Sequence, residues 1–321
     1  MSQMTFAEGT FEPHRRPTRR DHFLAQMNEV IPWSVLAAVI EPHYPKAGNG
    51  RPPVRLELML RIYFLQHWFN LSDPAAEEAL YDSHSMKKFV GVDLGQETVP
   101  DETTICRFRH LLERNNLGQK LFEEVASYLQ AKGIKIANGT IVDATIISAP
   151  SSTKNKKKER DPEMHQTRKG KQYYFGLKAH IGVDSKSQVI HSMVVTAANT
   201  HDSQVLPDLL HGDETRVWGD SAYTGQKEAL SRAAPNAKDF THQRAVRGRP
   251  LTEIEKAKNT TKSRVRAKVE HAFGIMKCVF GFRKVRYRGI DKNANSLFVL
   301  GALTNIFLKR EHLLRAQSAQ L

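Results

Sequence analysis

The chain has little cysteine, little acid relative to base, and no long apolar run. Its only cysteines are Cys106 and Cys278. Two cysteines exclude a disulfide framework and any four-cysteine zinc site, and they fit a reducing, cytoplasmic compartment. No apolar stretch reaches the roughly 20 residues needed to cross a bilayer. The nearest, LFVLGALTNIFL at 297–308, is short and carries Thr304 and Asn305, so it reads as a buried helix and no membrane partner is expected. Residues 1–20 lack the continuous apolar core of a signal peptide.

What is abundant is positive charge. Lys and Arg number 48 against 34 Asp and Glu, a net charge of +14 in 321 residues. Such a surface attracts polyanions, nucleic acid first among them. A basic protein with no dedicated partner would have the same composition.

The length allows two ordinary domains, and the sequence pattern changes once. Residues 1–20, with Arg15, Arg16, Arg19 and Arg20 around Pro17, read as a disordered basic arm, either mobile tail or DNA-contacting. Residues 21–133 read as an all-helical domain. Asp21 can cap a helix that Pro32 ends, residues 54–69 carry apolar positions at helical spacing, and Pro74 sits where a first turn tolerates it. VPDETTICRFRHLLERN, 99–115, reads as a further helix, and Gly133 stops the last. From 134 to 312 the reading is an α/β domain with a mixed five-stranded sheet. Strands are expected at 138–150, 173–184 and 188–197, at RVWGD and at AKDFTH, with helices at HDSQVLPDLL, at GQKEALSRAA and from 264 onward. Residues 313–321 are expected as a tail.

Three carboxylates stand out. Asp143 lies inside TIVDATII, a strand otherwise made for burial, where a carboxylate needs a cation or hydrogen bonds to offset lost hydration. A structural carboxylate bonded to loop amides fits the same place. Asp220 ends RVWGD, at the strand end where ligands gather in α/β sheets, though Asp before Ser is also ordinary turn chemistry. Glu270 is the one acid among eight Lys and Arg in RVRAKVEHAFGIMKCVFGFRKVRYR, 264–288. On a continuous helix of about 100° per residue, Arg266, Glu270 and Lys277 fall within an arc of about 40°, beside an apolar stripe of Val265, Val269, Ala272, Met276 and Phe280. An exposed ion pair between Arg266 and Glu270 is the simplest account of that spacing. Taken together, two strand aspartates and a helix glutamate amid basic segments supply hard oxygen ligands of the kind two-metal phosphoryl transfer uses.

These residues lie in collinear blocks: IVDATIISAPSSTKNK, DPEMHQTRKGKQYYFGLKAHIGVD, VVTAANTHDSQ, VWGDSAYTG and SRVRAKVEHAFGIMK. Over residues 50–310 they resemble the bacterial DDE transposases of the insertion-sequence-five type. The family's signature around its third acid, Tyr, two residues, Arg, three residues, Glu, six residues, Lys, is matched at Arg266, Glu270 and Lys277, with Ser263 in place of the tyrosine. The resemblance implies an RNase H-like catalytic domain behind a helical DNA-binding domain. It implies Asp143, Asp220 and Glu270 as catalytic residues and metal ligands, and two Mg²⁺ ions for which Mn²⁺ can substitute. The stretch from Asp220 to Glu270 is too short for the large β-rich insertion of some related transposases.

The implied substrates are double-stranded DNA ends carrying inverted repeats, and target DNA, handled by a homodimer or higher assembly in the bacterial cytoplasm. Arg266 and Lys277 are expected to hold phosphates beside the reacting centre. The segment 152–171 has eight Lys and Arg against three acids, which a solvated loop would also show; the resemblance makes it a DNA-contacting loop with Lys156, Lys157, Lys169 and Lys171 as contacts. In 99–115, Thr103, Thr104, Arg107 and Arg109 are the candidate DNA-reading residues; a buried helix with a basic edge fits that pattern as well. A transposition-deficient DNA-binding protein and an RNase H-like nuclease without strand transfer are the alternative functions.

Overall fold

The computed structural model describes residues 16–50, 52–95, 97–246 and 248–318. Most of the expected basic arm, including Arg15, lies outside them. The chain divides into two compact units, one of Met1–Asn115 with Lys309–Leu321 and the other of Asn116–Leu308. Among the described residues no single helix is long and apolar enough to cross a membrane.

The first unit is helical: α1 (Arg19–Val30), α2 (Trp33–Ile40), α3 (Leu56–Phe69), α4 (Asp73–Asp82), α5 (His84–Val90) and α6 (Glu102–Arg114). Helix α1 starts two residues earlier than Asp21 suggested. Thr18 is its cap, and Asp21 closes a capping box by accepting from the Thr18 backbone N–H at 2.7 Å. Helix α3 is buried from Leu58 to Trp68 except at Arg61. Two polar side chains in that run bond locally: Gln66 donates to Asp73 and His67 bonds the Tyr63 carbonyl. Ser72 caps α4, with proline in its first turn as expected.

The second unit opens with α7 (Leu117–Ala131). Helix α7 packs within this unit, against residues 290–308 of the last helix, α11 (Ile290–Ser318), so the compact units divide at 115 where the sequence suggested 133. Gly118 is the close-approach point. Its N–H donates to the Asn295 side chain at 2.7 Å, and a Cβ there would collide with the Asn295 carbonyl. Thr304 and Asn305 on α11 are fully buried, as the apolar stretch around them implied; the Asn305 amide clamps the Ile190 backbone through two bonds of 2.8 Å. Helix α11 continues through buried Leu313 to Ser318, so residues 313–318 extend a helix instead of forming a tail.

The sheet contains β1 (Gly139–Ser148), β2 (His165–Lys169), β3 (Gln172–Asp184), β4 (Ile190–Ala197), β5 (Arg216–Trp218) and β6 (Lys238–Asp239). Strand β3 runs antiparallel to β1 and to β4, β5 is parallel to β1, and β6 is parallel to β5. The order β4-β3-β1-β5-β6 is the RNase H-like arrangement, with β1 in the middle. The five expected strands are present. The sixth, β2, arises inside the basic segment that read as a loop and pairs with the first residues of β3. At HDSQVLPDLL, two short 3₁₀ turns, Asp202–Val205 and Pro207–Leu209, replace the expected helix. With α8 (Lys227–Ala233) they close a core of Val142, Val205, Leu206, Leu209, Val217, Tyr223 and Leu230.

The segment opened by Thr252 does not form one straight helix. It divides into α9 (Glu253–Arg266), α10 (Val269–Gly274) and a π turn, Ile275–Val279. Between α9 and α10 the bonding tightens: Lys268 reaches Val265, Glu270 reaches Ala267 and His271 reaches Lys268, each three residues back. The constant angular step that placed Arg266, Glu270 and Lys277 on one arc therefore fails twice. The apolar stripe survives, with Val269, Ala272, Met276 and Phe280 buried.

Candidate active site

Asp143 sits midway along β1, opposite Ile181 of β3. One carboxylate oxygen accepts the Ala144 N–H at 2.8 Å, and the other accepts the Arg266 guanidinium at 2.7 Å. Burial pushes its pKa up to about 6. Arg266 and the Ala144 N–H pull it back down, while the charges of Asp220 and Glu270 raise it further. The three expected acids are thus electrostatic neighbours, brought from β1, the end of β5 and the first turn of α10.

Asp220 follows Gly219, where β5 ends so close to its surroundings that a Cβ would lie 3.0 Å from Tyr223 and 3.1 Å from Val142. The Asp220 carboxylate caps the short turn Ser221–Tyr223 by accepting the Ala222 N–H at 2.7 Å, which leaves its second oxygen for other work. The turn chemistry read from the sequence is thus present at this residue. Glu270 is exposed. Arg266 pairs with Asp143, so the expected ion pair between Arg266 and Glu270 is replaced by one across the chain. Its Nε is buried without a hydrogen-bond partner among the described residues.

Lys277, in the π turn, donates to the Ile146 carbonyl of β1 at 2.7 Å. Burial lowers its pKa, the charges of Lys169 and Arg283 lower it further, and Glu270 raises it. Lys277 thus lies within reach of the charges of both Glu270 and Lys169.

Several residues around the site were not singled out from the sequence. The Tyr223 side chain is buried, and its hydroxyl has no hydrogen-bond partner among the described residues. Burial, followed by the carboxylates of Asp202, Asp143 and Asp220, raises its pKa and holds it protonated. Asp202 pairs with Lys178 at 2.8 Å, beside fully buried His180, whose pKa burial pushes down to about 4. His242 bonds Ser263 at 3.2 Å and is held below its ordinary pKa by burial, then by Arg266 and Lys262. The signal for Asp202 and Tyr223 was the blocks VVTAANTHDSQ and VWGDSAYTG; nothing local marked His242.

The expected DNA-reading residues separate. On α6, Thr103 and Arg107 are exposed and Thr104 is half-buried, its N–H bonded to Asp101. Arg109 is removed from the set. It is buried, and its guanidinium is spent on Asp73 and Glu113, each at 2.8 Å. Lys156, Lys157, Lys169 and Lys171 are all exposed, the last two flanking Gly170 in the β2–β3 turn.

Among the described residues no three His, Cys, Asp or Glu side chains stand close enough together to hold a metal ion. The donor chemistry nevertheless suits a hard divalent cation. The charges of Asp220 and Glu270 raise the cost of ionising Asp143, and Asp143 already holds a cationic group, the Arg266 guanidinium, at 2.7 Å.

A family model described as "Transposase DDE domain" matches residues 135–306, and a second, "Transposase domain (DUF772)", matches residues 12–111. Among solved structures, the cryo-EM structure of piggyBac transposase synaptic complex with hairpin DNA is similar at a TM-score of 0.46 and 10% identity, over 95% of this chain and 79% of that one. With more than half of its length matched by the DDE model, over the segment that carries Asp143, Asp220 and Glu270, this chain belongs to the DDE-domain transposases.

Proposed function

We propose that this transposase is of the insertion-sequence-five type and binds the terminal inverted repeats of its own element. It cleaves DNA there and joins the released 3′ end to target DNA. The observation that carries this reading is the buried Asp143 carboxylate, held by Arg266 and raised to about 6 by burial with Asp220 and Glu270 nearby. A carboxylate so placed is costly to keep unless it serves a cationic ligand.

Asp143, Asp220 and Glu270 are the residues that would hold the metals. Two Mg²⁺ ions, or Mn²⁺ in their place, supply activation of the attacking oxygen and stabilisation of the leaving one. Arg266 favours the ionised form of Asp143 by lowering its pKa, and its guanidinium would suit a DNA phosphate beside the same carboxylate. Lys277 sets a second positive charge beside Glu270. Thr103, Thr104 and Arg107 are the DNA-reading candidates that remain on α6. The working form is a homodimer or higher assembly on double-stranded DNA in the bacterial cytoplasm.

The test uses purified protein, Mg²⁺ and a duplex carrying the inverted repeats that bound the reading frame. Strand transfer is expected, and Asp143→Asn, Asp220→Asn and Glu270→Gln should each abolish it while DNA binding persists. Activity surviving in any one variant removes that residue from the catalytic set. Cleavage without joining supports a nuclease, and binding alone supports a DNA-binding protein that has lost transposition.

A further inference from the structure

The strand that sequence reasoning missed makes a projection. The register of β1 with β3 ends at Ser148 and Gly176, the Ala149 N–H still donates to the Phe175 carbonyl at 2.7 Å, and β3 residues 172–174 overhang that end, paired with β2. Gly176 is the pivot, because a Cβ there would collide with the Ile147 carbonyl. Only glycine lets β3 leave β1 so closely.

One face of the overhang alternates aromatic rings and guanidinium groups. Tyr173 lies opposite Arg168 in the ladder, and the Arg168 guanidinium sits 5.6 Å from its ring centroid. The Gly170 carbonyl accepts from the same guanidinium at 2.9 Å and fixes it there. Arg160 covers Phe175 in the same way at 5.4 Å. Tyr173 is 64% exposed, an unusual condition for a large aromatic on a strand. Lys169 and Lys171 stand at the turn, and Lys169 is near enough to Lys277 for their charges to repel. Lys277 feels the charges of both Lys169 and Glu270, which links the projection to the acidic cluster, and the projection begins where β1 ends, at Ser148, five residues along that strand from Asp143.

Exposed rings interleaved with cations are the chemistry that takes unpaired bases, since every base offers a π-face and every linkage a phosphate. We propose that the β2–β3 hairpin is a stacking platform for an unpaired base of the DNA end beside the cleavage site. Tyr173, held by Arg168, receives the base, and Lys169 and Lys171 hold the adjoining phosphates. This rests on the transposase reading above.

The experiment compares the full-length wild type with Tyr173→Ala and Tyr173→Phe on two duplexes bearing the inverted-repeat end. One is fully paired; the other carries 2-aminopurine unpaired beside the cleavage site. Tyr173→Ala should cut the paired end roughly tenfold or more slowly, the factor that losing one stacking contact predicts. It should also lose the quenching of 2-aminopurine that the wild type shows, while Tyr173→Phe keeps both. Wild-type behaviour of Tyr173→Ala, slow cutting with quenching intact, or a phenylalanine variant as impaired as the alanine one overturns the platform alone. A wild type that cuts neither duplex overturns the transposase reading with it.

Discussion

The Arg266 guanidinium and the Asp143 carboxylate meet at 2.7 Å, joining the end of α9 to the middle of β1 across 123 positions of sequence. The pair makes a carboxylate tolerable inside a sheet, and it occupies one of the oxygens that Asp143 would offer a metal under the proposed function.

The first prediction concerns pH. The folded-state pKa of Asp143 is raised to about 6, so the native state favours its protonated form. By linkage that contribution to stability is fully present below the unfolded value and is lost as pH rises through about 6. Asp143→Asn should remove the dependence and leave the protein more stable than wild type at pH 7 by up to about 3 kcal/mol, since a shift of one unit is worth about 1.4 kcal/mol. Denaturant melts of both proteins from pH 4 to 8 check this; parallel curves would refute it.

Divalent metal should reverse that penalty. Mg²⁺ or Mn²⁺ binding only the native state stabilises it by mass action, about 2.7 kcal/mol at a hundredfold excess over Kd. The melting temperature of the wild type should rise with added metal above pH 6, and that of Asp143→Asn should rise little. Chelation with EDTA should return the wild type to its starting value.

Arg266→Ala removes a charge that lowers the Asp143 pKa, so it should displace the acidic limb of the strand-transfer pH profile upward. Activity should fall more at pH 6 than at pH 8. A uniform loss at both would mean that Arg266 serves only to hold DNA. Arg266→Lys, which keeps the charge, should restore the position of the limb.

The helical unit offers a contrast between neighbours. Arg109→Ala leaves Asp73 and Glu113 without their shared cation and should cost roughly 3 kcal/mol of stability. Arg107→Ala, at an exposed position, should leave the melt unchanged. If Arg107 reaches a phosphate, its loss should weaken binding of the ends and reduce the salt slope by about one. Melts and salt-dependent binding curves on the two variants separate the roles.

How legible the molecule was depends on the range of the interactions that decide each part. The strand at 138–150 follows from its clustered β-branched residues, and burial of Thr304 and Asn305 follows from the apolar stretch around them, because local composition settles such matters. Arg109 and Arg107 could not be told apart by spacing on α6. What separates them is Asp73, far away in sequence. The strand β2 escaped because HQTRK is polar on both faces and is held by backbone pairing to β3, not by burial.

The sequence by itself determined which side chains are on offer: one carboxylate within a strand, one at a strand end, one at a helix start, and a basic surround. Side-chain types fix which ligands a site can hold, and they are read directly. Only the tertiary structure decided who faces whom. A uniform helical step placed Arg266 with Glu270, but the tight turn at Ala267–Lys268 and the π turn at Ile275–Val279 broke that step. Arg266 then found Asp143 because a buried carboxylate gains far more from a cation than an exposed one does.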